Sequence, residues 1–145
     1  MTREEILAMS TGKDMNLLIA EHVLGWIAWK EQRGEYTHVI FQRPGEREPY
    51  MRSQQWKTDQ KRYEPIPFTE IDRMKHIVSG LKDWSSDISA AWEVEEKIKE
   101  IGGLMIGYYM TELMLIVRSN GFNMVHATPE QRCKAALLAI LPGEE

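Results

Sequence analysis

Cysteine is almost missing from this chain: Cys133 is the only one among 145 residues. A lone cysteine excludes an intramolecular disulfide framework and fits a reducing compartment. Long apolar runs are missing too. None approaches the roughly 20 residues a bilayer-spanning helix needs, and the N-terminus has no basic start followed by an apolar core. The expectation is therefore a cytoplasmic protein with no membrane partner. Nor is there an excess of positive charge. The formal net charge is −4, which argues against general DNA or RNA binding, because phosphate neutralisation dominates that affinity.

The signatures of common catalytic chemistries are also absent. His22, His38, His76 and His126 stand alone, without a Cys, His or Asp at zinc-ligand spacing, and there is no HExxH. Gly102-Gly103 follows a helical stretch instead of opening one, the reverse of a phosphate loop. No Gly-x-Ser-x-Gly turn occurs. Cys133 lies at helical spacing from Ala136 and Leu137 and reads as a buried structural thiol. Glu93, Glu95, Glu96 and Glu100, interleaved with Lys97 and Lys99, read as the solvated face of a helix. The chain is expected to be no enzyme, with no catalytic residue, metal site or cofactor.

What is present is an ordinary globular composition, 43% apolar and 28% charged, at a length that suits one domain. Thr2 and Glu5 have capping-box spacing ahead of Ile6 and Leu7, and Gly12 breaks this first helix. Asp14 is expected to cap a second helix through Leu17, Leu18, Val23 and Leu24, ended by Gly25. Glu35 to Phe41 reads as a strand, with Ile27-Ala28-Trp29-Lys30 as its hairpin partner across Arg33-Gly34. Pro44, Pro49, Pro65 and Pro67 punctuate a charged loop with short extended pieces, and Thr69 to Leu81 has helical periodicity.

Trp84 to Val94 is the most informative stretch. Ser85 or Ser86 can cap a helix, Asp87 suits its positive end, and Ile88, Ala91 and Trp92 form its apolar stripe. Leu104 to Met110, Leu113 to Arg118 and Asn123 to Ala127 read as strands, the last pair joined through Ser119-Asn120-Gly121. Thr128-Pro129-Glu130 opens a final helix that ends at Pro142-Gly143. The pattern gives an α+β domain whose antiparallel sheet, largely in the C-terminal half, is sandwiched by helices.

Ser86-Asp87-Ile88 leading into Ala90-Ala91-Trp92, and Ala127-Thr128-Pro129 leading into Cys133 to Ala139, resemble the phage α-β-α (ABA) sandwich domain family. Met1 to Leu7 and Ala20-Glu21 through Gly25-Trp26 are similar to that family's N-terminal helices. The resemblance covers about residues 1–26 and 84–141 and implies a small phage or prophage protein, with no general activity attached. It makes 1–145 one ABA-sandwich-like domain with 27–83 as an enlarged central insertion. If the chain is phage-encoded, its place is the host cytoplasm.

That insertion carries the binding expectation. From Arg43 to Arg62 the basic residues Arg43, Arg47, Arg52, Lys57, Lys61 and Arg62 outnumber Glu46, Glu48 and Asp59. Five tryptophans are many for this length. Trp26 and Trp92 read as core, whereas Trp29, Trp56 and Trp84 lie in or beside loops, where an indole can stack on a flat ligand. Trp56 beside Arg52 and Lys57 joins a stacking plane to positive charge; the competing reading folds it back onto the sheet. The candidate ligand-binding residues are thus Trp29, Arg52, Trp56, Lys57, Trp84, Ser86 and Asp87. The expected function is non-catalytic capture of a nucleotide-like host immune signal. The alternatives are a module that inhibits a host protein and a small nucleotide-modifying enzyme. Met105, Tyr108, Tyr109, Met110, Met114 and Ile116 would put apolar side chains on both faces of the strands, which points to a homo-oligomer or to helices on both sheet faces.

Overall fold

A computed structural model describes residues 1–53, 56, 60–118 and 121–141. The fold is α+β, with two compact units: residues 1–24 with 82–145, and residues 25–81. The described part of the first unit is helical. It holds α1 (Arg3–Ala8), α2 (Lys13–Leu18), α3 (Ile88–Ile101), α4 (Leu104–Val117), α5 (Phe122–Val125) and α6 (Pro129–Ile140). The second unit holds β1 (Ile27–Arg33), β2 (Tyr36–Gln42), β3 (Tyr63–Pro65) and β4 (His76–Val78). No helix of the described residues is long and apolar enough to cross a membrane.

In the helical unit α6 is the centre, packed on by α1, α3 and α4. Its start is a full capping box: Thr128 accepts from the Gln131 N–H, Gln131 accepts from the Thr128 N–H, and Pro129 fills the first turn. Ala135, Ala136 and Leu137 are completely buried, and the small side chains let neighbouring helices approach closely. Two long cations on α6 are buried as well. Lys134 Nζ donates to the Leu7 carbonyl and to Glu130, each at 2.8 Å, which places positive charge at the end of α1. Arg132 donates to the Ala127 and Val125 carbonyls at 3.0 and 2.8 Å and pairs with Glu95.

Several elements differ from the expectations. Asp87, not Ser85 or Ser86, caps α3, accepting from the Ser89 N–H at 2.9 Å. The buried stripe is Ala91, Val94 and Ile98; Ile88 and Trp92 lie on its flank. Trp92 is therefore not core: it is 51% exposed and its ring covers the Arg132 guanidinium at 4.8 Å. Asp14 does not cap α2, which starts at Lys13 behind Gly12, whereas the helical run does end at Leu24 and Gly25, whose φ is +70°. What differs is the last part of that run, which changes from α-helix at Leu18 to a π-helical turn over Ile19–Val23.

The larger corrections concern strands. Leu104 to Met110 and Leu113 to Arg118 are one helix, α4, and Asn123 to Ala127 falls mostly in α5. A run whose apolar residues are interrupted only by Gly107 and Thr111-Glu112 shows little period to betray its conformation; its fourteen residues suit a helix better than a strand. Gly102 and Gly103, at φ of +73° and +54°, turn the chain from α3 into α4 in a backbone region that L side chains disfavour. Ser119, Asn120, Pro142 and Gly143 lie outside the described residues. Thr69 to Leu81 is not a helix: it holds a short 3-10 turn at Phe68–Glu70 and then β4. β4 exists because it pairs with β2, a non-local gain that local spacing cannot register.

The sheet consequently lies within 27–78, not in the C-terminal half. Its order is β3-β1-β2-β4, mixed because β4 runs parallel to β2. The β1–β2 hairpin forms where the sequence places it, turning at Gly34, whose φ is +62°. Val39, Ile40 and Phe41 are buried, and the Phe41 ring packs at a tilt against Trp26 and Phe68, at 5.9 and 5.8 Å. Trp26 itself is half-buried.

Candidate anion-binding groove

Alternation along β1 sends Trp29, Glu31 and Arg33 to one face of the sheet and Ala28, Lys30 and Gln32 to the other. The register carries that sorting across the sheet. Glu31 stands opposite His38 and Tyr63; Lys30 stands opposite Glu64, and Gln32 opposite Thr37, which in turn pairs with His76.

The first face is closed by its own groups. Glu31 has no exposed surface. Its carboxylate accepts from Arg33 Nε at 2.5 Å and from the Ser53 hydroxyl, which is also bonded to the Tyr63 hydroxyl. Burial alone would raise this carboxyl, but the hydrogen bonds from Ser53, Tyr63 and Arg33, with the Arg33 charge, hold it below the ordinary 4.5. Tyr63 is pushed above its ordinary 10, first by burial and then by its bond to the Glu31 anion. His38 is held below 6.5 by burial and by the Arg33 charge, against a smaller pull from Glu31. Trp56 packs edge-on against both Trp29, at 5.1 Å, and Tyr63, at 4.7 Å. Trp29 is fixed further by its indole N–H, which donates to Gln42 at 2.9 Å.

The second face carries an open groove of about 270 Å³, lined by Lys30, Gln32, Thr37, Lys61, Arg62, Glu64 and His76. Three lysine or arginine cations face one carboxylate, and that carboxylate, Glu64, lies 3.3 Å from Lys30. Arg62 is oriented by two bonds to the neutral Gln32 carbonyl, at 3.3 and 3.0 Å, and among the described residues no acid pairs with it. Thr37 donates to the Gln32 side chain at 2.8 Å, and that side chain donates to the Gly34 carbonyl at 2.8 Å. His76 accepts the Asp72 N–H on Nδ1 at 3.1 Å, so in the neutral ring the proton sits on Nε2 and is available as a donor. An excess of positive charge beside the His76 Nε2–H is chemically suited to a small oxyanion or phosphate ester. The charge of the whole unit agrees: residues 25–81 carry ten Lys and Arg against eight Asp and Glu, and the rest of the chain eight against fourteen.

The sequence-expected residues are distributed otherwise. Trp29 and Trp56 do meet, on the face opposite the groove. Arg52 turns to Glu48 at 2.5 Å, and Lys57 lies outside the described residues. Trp84, Ser86 and Asp87 belong to the helical unit. Trp84 is not at a loop border with an open ring: it is fully buried, its indole N–H donates to Glu93 at 3.2 Å, and its carbonyl accepts from Cys133 Sγ at 3.2 Å. Beside it, Ser85 Oγ accepts from the Gly12 N–H and Ser85 N–H donates to Asn16, both at 3.1 Å, so this segment clasps the N-terminal helices. Ser86 is exposed, its N–H donating to Asp83 at 3.1 Å. Asp87 serves as the cap.

Sequence reasoning missed Lys30, Gln32, Thr37, Glu64 and His76 as one set, and the buried Glu31–Arg33 pair. The available signal was the alternation Lys30-Glu31-Gln32-Arg33 inside a strand. Among the described residues, no group of three or more His, Cys, Asp or Glu is placed to hold a metal ion.

The family model described as the phage ABA sandwich domain matches residues 17–137. That span takes in the whole sheet unit as well as α3, α4 and α5. No curated relative and no solved structure matches the chain.

Proposed function

The chain belongs to the phage ABA sandwich domain family, and on that premise we propose that it is a non-catalytic binder of a small phosphate-bearing, nucleotide-like ligand. The ligand sits in the sheet groove, and its biological role there is capture of a host immune signal. The observation that carries this reading is the groove itself, where Lys30, Lys61 and Arg62 face a single carboxylate. Its volume suits a phosphorylated sugar or the phosphate end of a nucleotide, and small-ligand pockets are of about this order. Capture without turnover is supported by the state of the reactive groups. The Cys133 thiol is buried and pushed up to about 12, far from the thiolate a nucleophile needs. Glu31, the buried carboxylate, is already held by three donors.

The test is calorimetric titration of the full chain with inorganic phosphate, nucleoside monophosphates, cyclic dinucleotides and ADP-ribose derivatives. At least one phosphate ester should bind and be recovered unaltered after denaturation. Lys61→Glu, an exposed change, should weaken that binding about tenfold or more, since it removes one charge and adds the opposite one. Silence across the panel, or recovery of a converted ligand, overturns the reading.

A further inference from the structure

A helix that is apolar all round is normally buried all round, and α4 is not. Its inward stripe is Met105, Tyr109, Leu113 and Ile116, of which Tyr109 and Leu113 are fully buried. On the opposite side Leu104 is 76%, Tyr108 52% and Leu115 57% exposed, with Thr111 exposed between them. With Phe122 and Val125 of α5, 76% and 69% exposed, they present open apolar area that approaches the roughly 800 Å² that one partner of a standard interface covers.

Leu104, Tyr108, Thr111 and Leu115 recur at intervals of four, three and four residues, which is the spacing of a helix-pairing seam. That seam complements itself. Laid antiparallel across a two-fold axis, Leu104 meets Leu115 of the partner subunit while Tyr108 meets Thr111 of the partner subunit, and the same contacts repeat on the other side. Gly107, beside the seam, has open space where a side chain would stand, so two backbones can approach closely. No charge interrupts the seam: the one acid of α4, Glu112, is half-buried and engages Arg3 at 2.7 Å. A lipid surface fits worse, since the residues outside 25–81 carry fourteen acids against eight bases and anionic headgroups would repel them.

We propose that the α4 face is a homodimer interface in which two copies of this chain pair α4 antiparallel. The experiment is sedimentation velocity on the full chain across micromolar concentrations. The wild-type protein should form a dimer. Leu104→Glu and Leu115→Glu should each raise the dissociation constant about tenfold or more, with unchanged circular dichroism because both sites are exposed. In the double variant Leu104→Lys with Leu115→Glu, each lysine faces a glutamate across the axis, and dimerisation should return. A wild-type chain that stays monomeric, or that instead pellets with phosphatidylserine vesicles, overturns the proposal. So do single variants that dimerise like wild type, or a double variant that associates no better than the singles.

Discussion

A carboxylate with no contact to solvent, such as Glu31, is stable only while donors replace the water it has lost. Arg33, Ser53 and Tyr63 are those donors, and the three come from β1, β3 and the segment between β2 and β3. Ser53 spends its proton on Glu31 and takes one from the Tyr63 hydroxyl, so losing that hydroxyl leaves the buried Ser53–Glu31 bond without its support. Tyr63→Phe is therefore expected to destabilise the fold by about 1–3 kcal/mol, read as a lowered midpoint in urea unfolding. The acid response follows from two shifts of known sign. Folded His38 takes up its proton at a lower pH than the unfolded histidine's 6.5, so stability begins to fall as pH drops through 6.5. Glu31 is held below 4.5, so its contribution is complete above 4.5 and is lost as pH falls through its lower folded value. His38→Gln should flatten the first limb of a stability–pH curve and leave the second in place.

Among elements, the start of α3 separates two local chemistries that the sequence leaves open. Ser85, Ser86 and Asp87 can all cap; in the structure Asp87 holds the Ser89 N–H while Ser85 is drawn away to Gly12 and Asn16. Asp87→Ala should cost about 1 kcal/mol, and Ser86→Ala, at an exposed position without a cap bond, should cost nothing measurable in thermal unfolding. The same contrast explains how much could be read in advance. Thr128-Pro129-Glu130 and the turn at Gly34 are local devices, and local devices are legible. α4 was not, because Leu104–Val117 offers neither a polar face to mark a helical period nor an alternation to deny one. β4 was not, because Ile71, Met74, Ile77, Val78 and Leu81 fall at helical intervals while the pairing that wins lies across the chain on β2. The groove was half legible: the basic run up to Arg62 was visible, but Arg43 and Arg52 neutralise themselves on Glu46 and Glu48, and among the described residues of that run only Lys61 and Arg62 reach the site.

Across the whole molecule, charge is divided: the sheet unit has a small positive excess and the remainder a larger negative one. Salt should therefore act in opposite senses on the two proposed associations. Added sodium chloride screens the groove from a phosphate ester and should weaken ligand binding progressively. The same salt screens repulsion between two acidic helical units and should tighten the α4 pairing, which is itself uncharged. Calorimetry and sedimentation run over one salt series would show the divergence, and parallel trends would argue against one of the two assignments.

The bond from Cys133 to the Trp84 carbonyl has a practical corollary. The chain's single thiol is sealed inside the helical unit, so a thiol reagent can reach it only when that unit transiently opens. Its modification rate is then a clock for opening, reporting the free energy of that excursion and not the intrinsic reactivity of sulfur.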